Sequence, residues 1–121
     1  MEIEKIVFNE IIFITELIIT DLPDDSQLKN DFCLIKDELL ESYNQQNYST
    51  RKLRRIYLKY RTNEVKVYNK KTIERIRTIQ SLIQYLNTHL LTYDQKNQTP
   101  MSSSFESCMF YLFDILECLI K

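Results

Sequence analysis

The side chains of this chain best suited to chemistry are basic, and they are crowded into one stretch. Arg51, Lys52, Arg54, Arg55, Lys59, Arg61, Lys66, Lys70, Lys71, Arg75 and Arg77 make eleven of the thirteen charged residues between Thr50 and Thr78. Both flanks are acidic, so a formal net charge of -1 conceals a central block of about +9. Three partners suit such a block. Its bases could be a solvated helix face that pairs with acids on the first two helices. They could meet nucleic-acid phosphates, because Arg51, Arg54, Arg55, Lys59 and Lys66 recur near one helical side with Tyr48, Tyr57 and Tyr60 interleaved. Or they could steer the chain onto an acidic protein surface, where apolar neighbours fix the complex. Nucleic acid ranks second to protein here, since no helix-turn-helix spacing or aromatic platform accompanies the bases. The candidate partner-binding residues are Arg51, Arg54, Arg55, Lys59, Lys66, Lys70, Lys71, Arg75 and Arg77.

Other reactive residue types are sparse. His89 is the one histidine, so no site can be built from two, and no ligand spacing joins it to cysteines or carboxylates. Its position near a predicted helix end suits a basic side chain at the C-terminal dipole. Cys33, Cys108 and Cys118 form no Cys-x-x-Cys pair and leave one thiol over from any disulfide, which points to a reducing, intracellular compartment and to small core residues. Nucleophile elbows and phosphate-cradling loops are built on glycine, and the chain has none. Asp24-Asp25 and Asp37-Glu38 are explained by a helix start and a solvated face. The sequence therefore predicts no catalytic residue, metal, cofactor or small-molecule substrate.

The elements that must carry these residues are helical. With no glycine and two prolines, Pro23 and Pro100, turns of positive φ are hard to build and a hairpin-rich fold is disfavoured. The length of 121 residues allows one domain with one core. A first helix is expected from about Glu2 to Thr20, with Ile3, Val7, Ile14, Leu17 and Ile18 on its inner face and Phe8, Ile11 and Ile12 widening it. Pro23 with Asp24 and Asp25 ends that helix and starts the next, on which Leu28, Phe32, Ile35, Leu39 and Tyr43 form a stripe. Asn44 to Ser49 reads as a loop, with Ser49 as N-cap of the basic segment. From Leu53 to Leu90 an apolar row keeps helical spacing, so about 50–90 is either one helix of about forty residues, roughly 60 Å long, or two that break near Thr62-Asn63 or Asn69. Continuity is preferred because no Pro or Gly forces a break, and the alternation in Glu64 to Tyr68 also fits a short strand.

A flexible polar loop is expected over 93–104. Ser103 and Glu106 then form a capping-box pattern that opens a last helix. Phe105, Met109, Leu112, Leu116 and Leu119 line one side of it, while Phe110 and Phe113 spread apolar surface around the rest. That helix is either central in the bundle or docks a second chain, which makes Phe105, Met109, Phe110 and Phe113 interface candidates. The fold class is thus all-α: a single helical bundle of about five helices over 1–121. Glu10 and Glu16 interrupt the apolar N-terminal segment, so no membrane span is expected, and it lacks the basic n-region and cleavage site of a secretory signal.

The order of these segments resembles the helical A-domain of the GINS proteins, subunits of the eukaryotic replicative helicase assembly, and most of all the Psf-one type. The resemblance rests on an acid near the middle of the first helix (Glu10), a Leu22-Pro23 turn, and Glu38-Leu39 late in the second helix. It continues with Tyr68 and Arg75-Ile76-Arg77 in the basic segment, then Met101-Ser102 and Glu106 where the last helix opens. The family's Arg-Asn-x-Arg run stands here as Arg61-Thr62-Asn63-Glu64, and its Trp is missing. What the resemblance implies is a non-catalytic, nuclear scaffold whose helices pack on sister subunits of a hetero-oligomer. The residues alone imply a non-enzymatic interaction protein, with a cytoplasmic helical inhibitor or immunity-type protein as the alternative and nucleic-acid binding through 51–77 as another.

Overall fold

The protein is seen in a computed structural model that describes residues 2–45, 48–97 and 103–121, and the side chains of 3–45, 48–88 and 105–121. Five helices follow in order: α1 (Glu2–Asp21), α2 (Gln27–Asn44), α3 (Arg51–Thr62), α4 (Lys70–Asn97) and α5 (Ser103–Ile120). No strand occurs among the described residues. The chain is an all-α bundle, as its periodicity predicts.

Local chemistry sets most boundaries. The turn after α1 closes with Ser26 N–H on the Pro23 carbonyl at 3.1 Å. Ser26, rather than Asp24 or Asp25, then caps α2, its Oγ accepting from the Lys29 N–H at 3.1 Å. Ahead of α3 the cap position falls on Thr50, one residue later than Ser49, and Thr50 makes no side-chain capping bond. The Ser49 hydroxyl instead accepts from the Arg51 N–H at 3.4 Å.

The long helix preferred for 50–90 is not formed. Residues 63–69 run non-helically between α3 and α4, and the two breaks fall at Asn63 and Asn69. Asn69 acts as the N-cap of α4, its Oδ1 accepting from the Thr72 N–H at 3.1 Å. What holds the segment out of a helix is α5. The last carbonyls of a helix have no partner within it, and here Val67 N–H donates to the Leu119 carbonyl at 2.8 Å while Lys66 Nζ donates to the Cys118 carbonyl at 2.9 Å. A cation at that end also complements the helix dipole. The alternating pattern of Glu64 to Tyr68 therefore encodes an extended segment that caps a neighbouring helix, not a strand.

At the other end of α4 helix continues to Asn97, and α5 begins at Ser103. Of the loop expected over 93–104, residues 93–97 are helical and 103–104 open α5; 98–102, with Pro100, Met101 and Ser102, lie outside the described residues. So do the side chains of His89 and Ser103.

One core fills the bundle. α5 lies at its centre and packs against α2, α3 and α4, while α1 closes the other side against α2 and α4. Phe105, Cys108, Met109, Leu112, Ile115, Leu116 and Leu119 are all buried and form one continuous core face of α5, with Tyr111, Phe113, Cys118 and Ile120 half-buried at its flanks. Its helical neighbours supply Leu53, Ile56, Ile76, Ile79, Phe32, Ile35 and Leu39. An aromatic cluster ties α1, α2 and α5 together: Phe8 stacks on Tyr43 at 4.3 Å between centroids, and Phe105 meets both edge-on at 5.3 and 5.1 Å.

This placement corrects part of the interface expectation for α5. Phe105 and Met109 are core side chains that no partner can reach, and Phe113 is half-buried against the core; Phe110 alone of the four is exposed, at 45%. Burial on three sides is the reason. Phe105→Ala is accordingly expected to lower unfolding free energy by about 3–5 kcal/mol, read from urea melts. Phe110→Ala should cost much less, and equal losses would contradict the central position of α5.

Candidate interaction surfaces

The inner face of α3 is bound to α2 through two buried carboxylates. Asp31 accepts from Lys59 Nζ at 2.5 Å, from the Tyr60 hydroxyl, and from Gln27 Nε2 at 3.1 Å. Glu38 accepts from the Tyr48 hydroxyl. Both acids are more than nine-tenths buried, and a buried charge is tolerable only with partners of this kind. These contacts turn two tyrosines inward. Tyr60 is buried and Tyr48 is partly so, and Tyr57 packs against Tyr111 at 6.0 Å between centroids. The three rings read from sequence as interleaved with the bases thus form no exposed stacking platform, although Tyr48 lines a recess beside Arg51, Lys52 and Arg55.

The outer face of α3 is different. Arg51, Lys52, Arg54, Arg55 and Arg61 are exposed, and none forms an ion pair among the described residues. Leu58 lies among them on the same face with 43% of its surface open. An open recess of about 340 Å³ at the start of the helix is lined by Glu38, Tyr48, Ser49, Arg51, Lys52 and Arg55. The positions 51, 54, 55, 58 and 61 follow helical spacing, and that spacing is the signal that would have added Leu58 and Arg61 to the candidates.

The other candidate bases are scattered. Lys59 is taken up by Asp31, and Lys66 caps α5. Arg75 donates to the Leu17 carbonyl at 3.3 Å and to Asp21, which Lys71 also approaches at 3.9 Å. Lys70 and Arg77 are exposed on α4, and α4 does not pack on α3. The block therefore divides into bases that hold the chain's own acids or carbonyls, a group on α3 with no ion pair among the described residues, and Lys70 and Arg77 apart from it on α4. An open cleft of about 400 Å³ between the ends of α3 and α5 carries both signs of charge, its lining including Arg61, Lys66, Lys121, Asp114 and Glu117 with no ion pair among them.

A second surface lies on α1. Ile6 is 66% exposed, Phe13 54% and Ile3 41%. With exposed Glu10 and half-buried Leu17 they occupy positions 3, 6, 10, 13 and 17, alternating steps of three and four. That is the seam spacing of a coiled coil. Ile3 was expected on the inner face with Val7 and Ile14; the structure turns it outward, because the inner stripe is already filled by Val7, Phe8, Ile11, Ile14 and Ile18. α1 carries five acids and one base, Lys5; Glu16 approaches Lys36 of α2 at 3.9 Å, and Asp21 at its end meets Arg75 and Lys71 of α4.

The thiols and carboxylates offer no further site. Among the described residues no group of three or more His, Cys, Asp or Glu side chains could hold a metal ion, and no helix is long and apolar enough to cross a membrane. Cys108 is buried, and burial pushes its thiol above the ordinary value. All three cysteines are free thiols.

Fold and surfaces together define a five-helix all-α bundle with an apolar seam on one side and a cationic face on another. Comparison of the chain with family models, curated proteins and solved structures finds no match in any of the three.

The α2 to α3 contacts predict a pH dependence. Burial first, and then a carboxylate hydrogen bond, raises both the Tyr60 and the Tyr48 phenol above the ordinary tyrosine value. An unfolded chain releases these protons near pH 10, whereas the folded protein retains them. Their contribution is therefore fully present below about pH 10 and declines as pH rises past it. Urea midpoints should fall between roughly pH 9 and 11, and Tyr60→Phe should be less stable at neutral pH but flatter across that range. An identical alkaline slope in the variant would remove Tyr60 from this role.

Proposed function

We infer that the chain is a non-enzymatic helical interaction subunit that pairs through the α1 seam with a helix of another protein. The observation that carries this reading is the exposed row Ile3, Ile6 and Phe13 at coiled-coil spacing on a helix whose opposite face is already core. Apolar side chains at such a seam are costly in water and gain from burial against a second helix.

Charge argues for what that helix carries. Glu10 interrupts the seam, and the acids on α1 outnumber its single base, so symmetric pairing of two copies sets acid against acid. A helix from a different protein with Lys or Arg opposite Glu10 relieves this and fixes the register, as polar seam positions do. The most specific form of the reading is the GINS-like one, in which sister subunits of a replication helicase complex supply the helix. In an inhibitor or immunity-type protein the same seam would hold a single target in a one-to-one complex.

A photo-crosslinking residue at position 6 tests the assignment in cells. It should yield one dominant heterologous adduct, lost in Ile3→Asp/Phe13→Asp and retained in a control carrying Arg77→Ala. The thermal midpoint of the double variant should stay within a few degrees of the wild type, since neither side chain is in the core. An adduct of two copies of this chain, or an adduct that survives the double variant, would sink the reading.

A further inference from the structure

The outer face of α3 is independent of the α1 seam, because the two helices do not pack on one another. Of the eleven bases in the central block, Arg51, Lys52, Arg54, Arg55 and Arg61 gather on that face without an acidic partner among the described residues. The face is short, about 15 Å from Arg51 to Arg61 at the rise of an α-helix. Its centre is apolar, since Leu58 stands among the guanidinium groups, 43% exposed.

We propose that this face docks an acidic helical or extended segment of a partner protein, with one apolar side chain of that segment seated on Leu58 and its carboxylates distributed over the five surrounding bases. Charge complementarity selects the partner, and the apolar contact fixes it. An apolar centre enclosed by charged groups that exclude water is the arrangement in which a small protein interface concentrates its binding energy. Carboxylates match the planar guanidinium fork in bidentate pairs.

Three observations favour protein over nucleic acid. A phosphate backbone has nothing apolar to place against Leu58. Single-stranded binding relies on aromatic platforms for the bases, and Tyr48, Tyr57 and Tyr60 are turned toward Glu38, Tyr111 and Asp31. A backbone track would also need cations extending along the molecule, whereas Lys59, Lys66, Lys71 and Arg75 are engaged by Asp31, Asp21 and the carbonyls of Leu17 and Cys118, and the exposed Lys70 and Arg77 lie on α4, which does not pack on α3. Double-stranded phosphates, which need no stacking, are the remaining competitor and are separated by their salt response.

The test uses the whole chain and a displayed library of random helical peptides, selected on wild type and counter-selected on Arg54→Glu/Arg55→Glu. Selected peptides should share several Asp or Glu residues around one Leu, Ile, Met or Phe. The strongest of them should bind Leu58→Ser at least about tenfold more weakly than wild type, with an unchanged thermal midpoint, and should bind Ile3→Asp/Phe13→Asp as tightly as wild type. That last arm separates this surface from the α1 seam, so either can fail alone. Absence of an acidic consensus overturns the proposal, as does equal affinity for Leu58→Ser. It is also overturned if a 20-base-pair duplex binds more tightly than any selected peptide and loses affinity steeply as salt rises, or if the peptides compete with α1 of a second copy of this chain.

Discussion

The carbonyls at the end of α5 are the constraint on which the rest of the bundle depends. α5 packs against α2, α3 and α4, and a carbonyl left unpaired where its end meets the bundle costs about as much as a lost hydrogen bond. Val67 and Lys66 meet that need. To reach them the chain must leave helical geometry at Asn63 and re-enter it at Asn69, which separates α3 from α4. Once separated, α3 packs on α2 and α5 while α4 packs on α1 and α5.

That division determines the fate of the basic block. On a single long helix its bases would form one continuous side. On two helices that do not touch, each base meets different neighbours, and those beside Asp31, Asp21 or a bare carbonyl are drawn into the chain's own interactions. The α3 face is the largest group left over, with Lys70 and Arg77 standing apart on α4. Asp31 and Glu38 matter as much as the cations, because by binding Tyr60 on α3 and Tyr48 just before it they fix the side of α3 that faces α2 and leave its guanidinium groups outward. Arrangement of this kind gives specificity and association rate more than raw affinity.

Helix existence and type were readable from apolar spacing at 28, 32, 35, 39 and 43 and at 105, 109, 112, 116 and 119, since one periodicity repeated over several turns leaves little room for another fold. Boundaries were less readable. Ser26 outcompetes Asp24 and Asp25 as the α2 cap, and the break over 63–69 has no Pro or Gly to announce it. Two asparagines mark its ends, but what makes the break favourable is a hydrogen bond to Leu119, more than fifty residues away. The surfaces were half readable. Arg51, Arg54 and Arg55 stood out as cations, but Leu58 looked like one more member of an apolar pattern, and Ile3 looked like core. Phe105 and Met109 show the converse, since an apolar side chain suits an interface and a core equally well until its neighbours are known.

By itself the sequence determined that this protein is helical, that it has one core, and that its charge is segregated along the chain, because periodicity and composition act locally and need no knowledge of distant contacts. Only the tertiary structure decided which bases are free, which aromatic rings are hidden and where the longest apolar row is cut. Each of those depends on a pairing between groups remote in sequence: Lys59 with Asp31, Tyr48 with Glu38, and Lys66 with the Cys118 carbonyl. Such pairings follow from how buried polar groups must be satisfied once the helices are packed, a requirement that does not exist until they are.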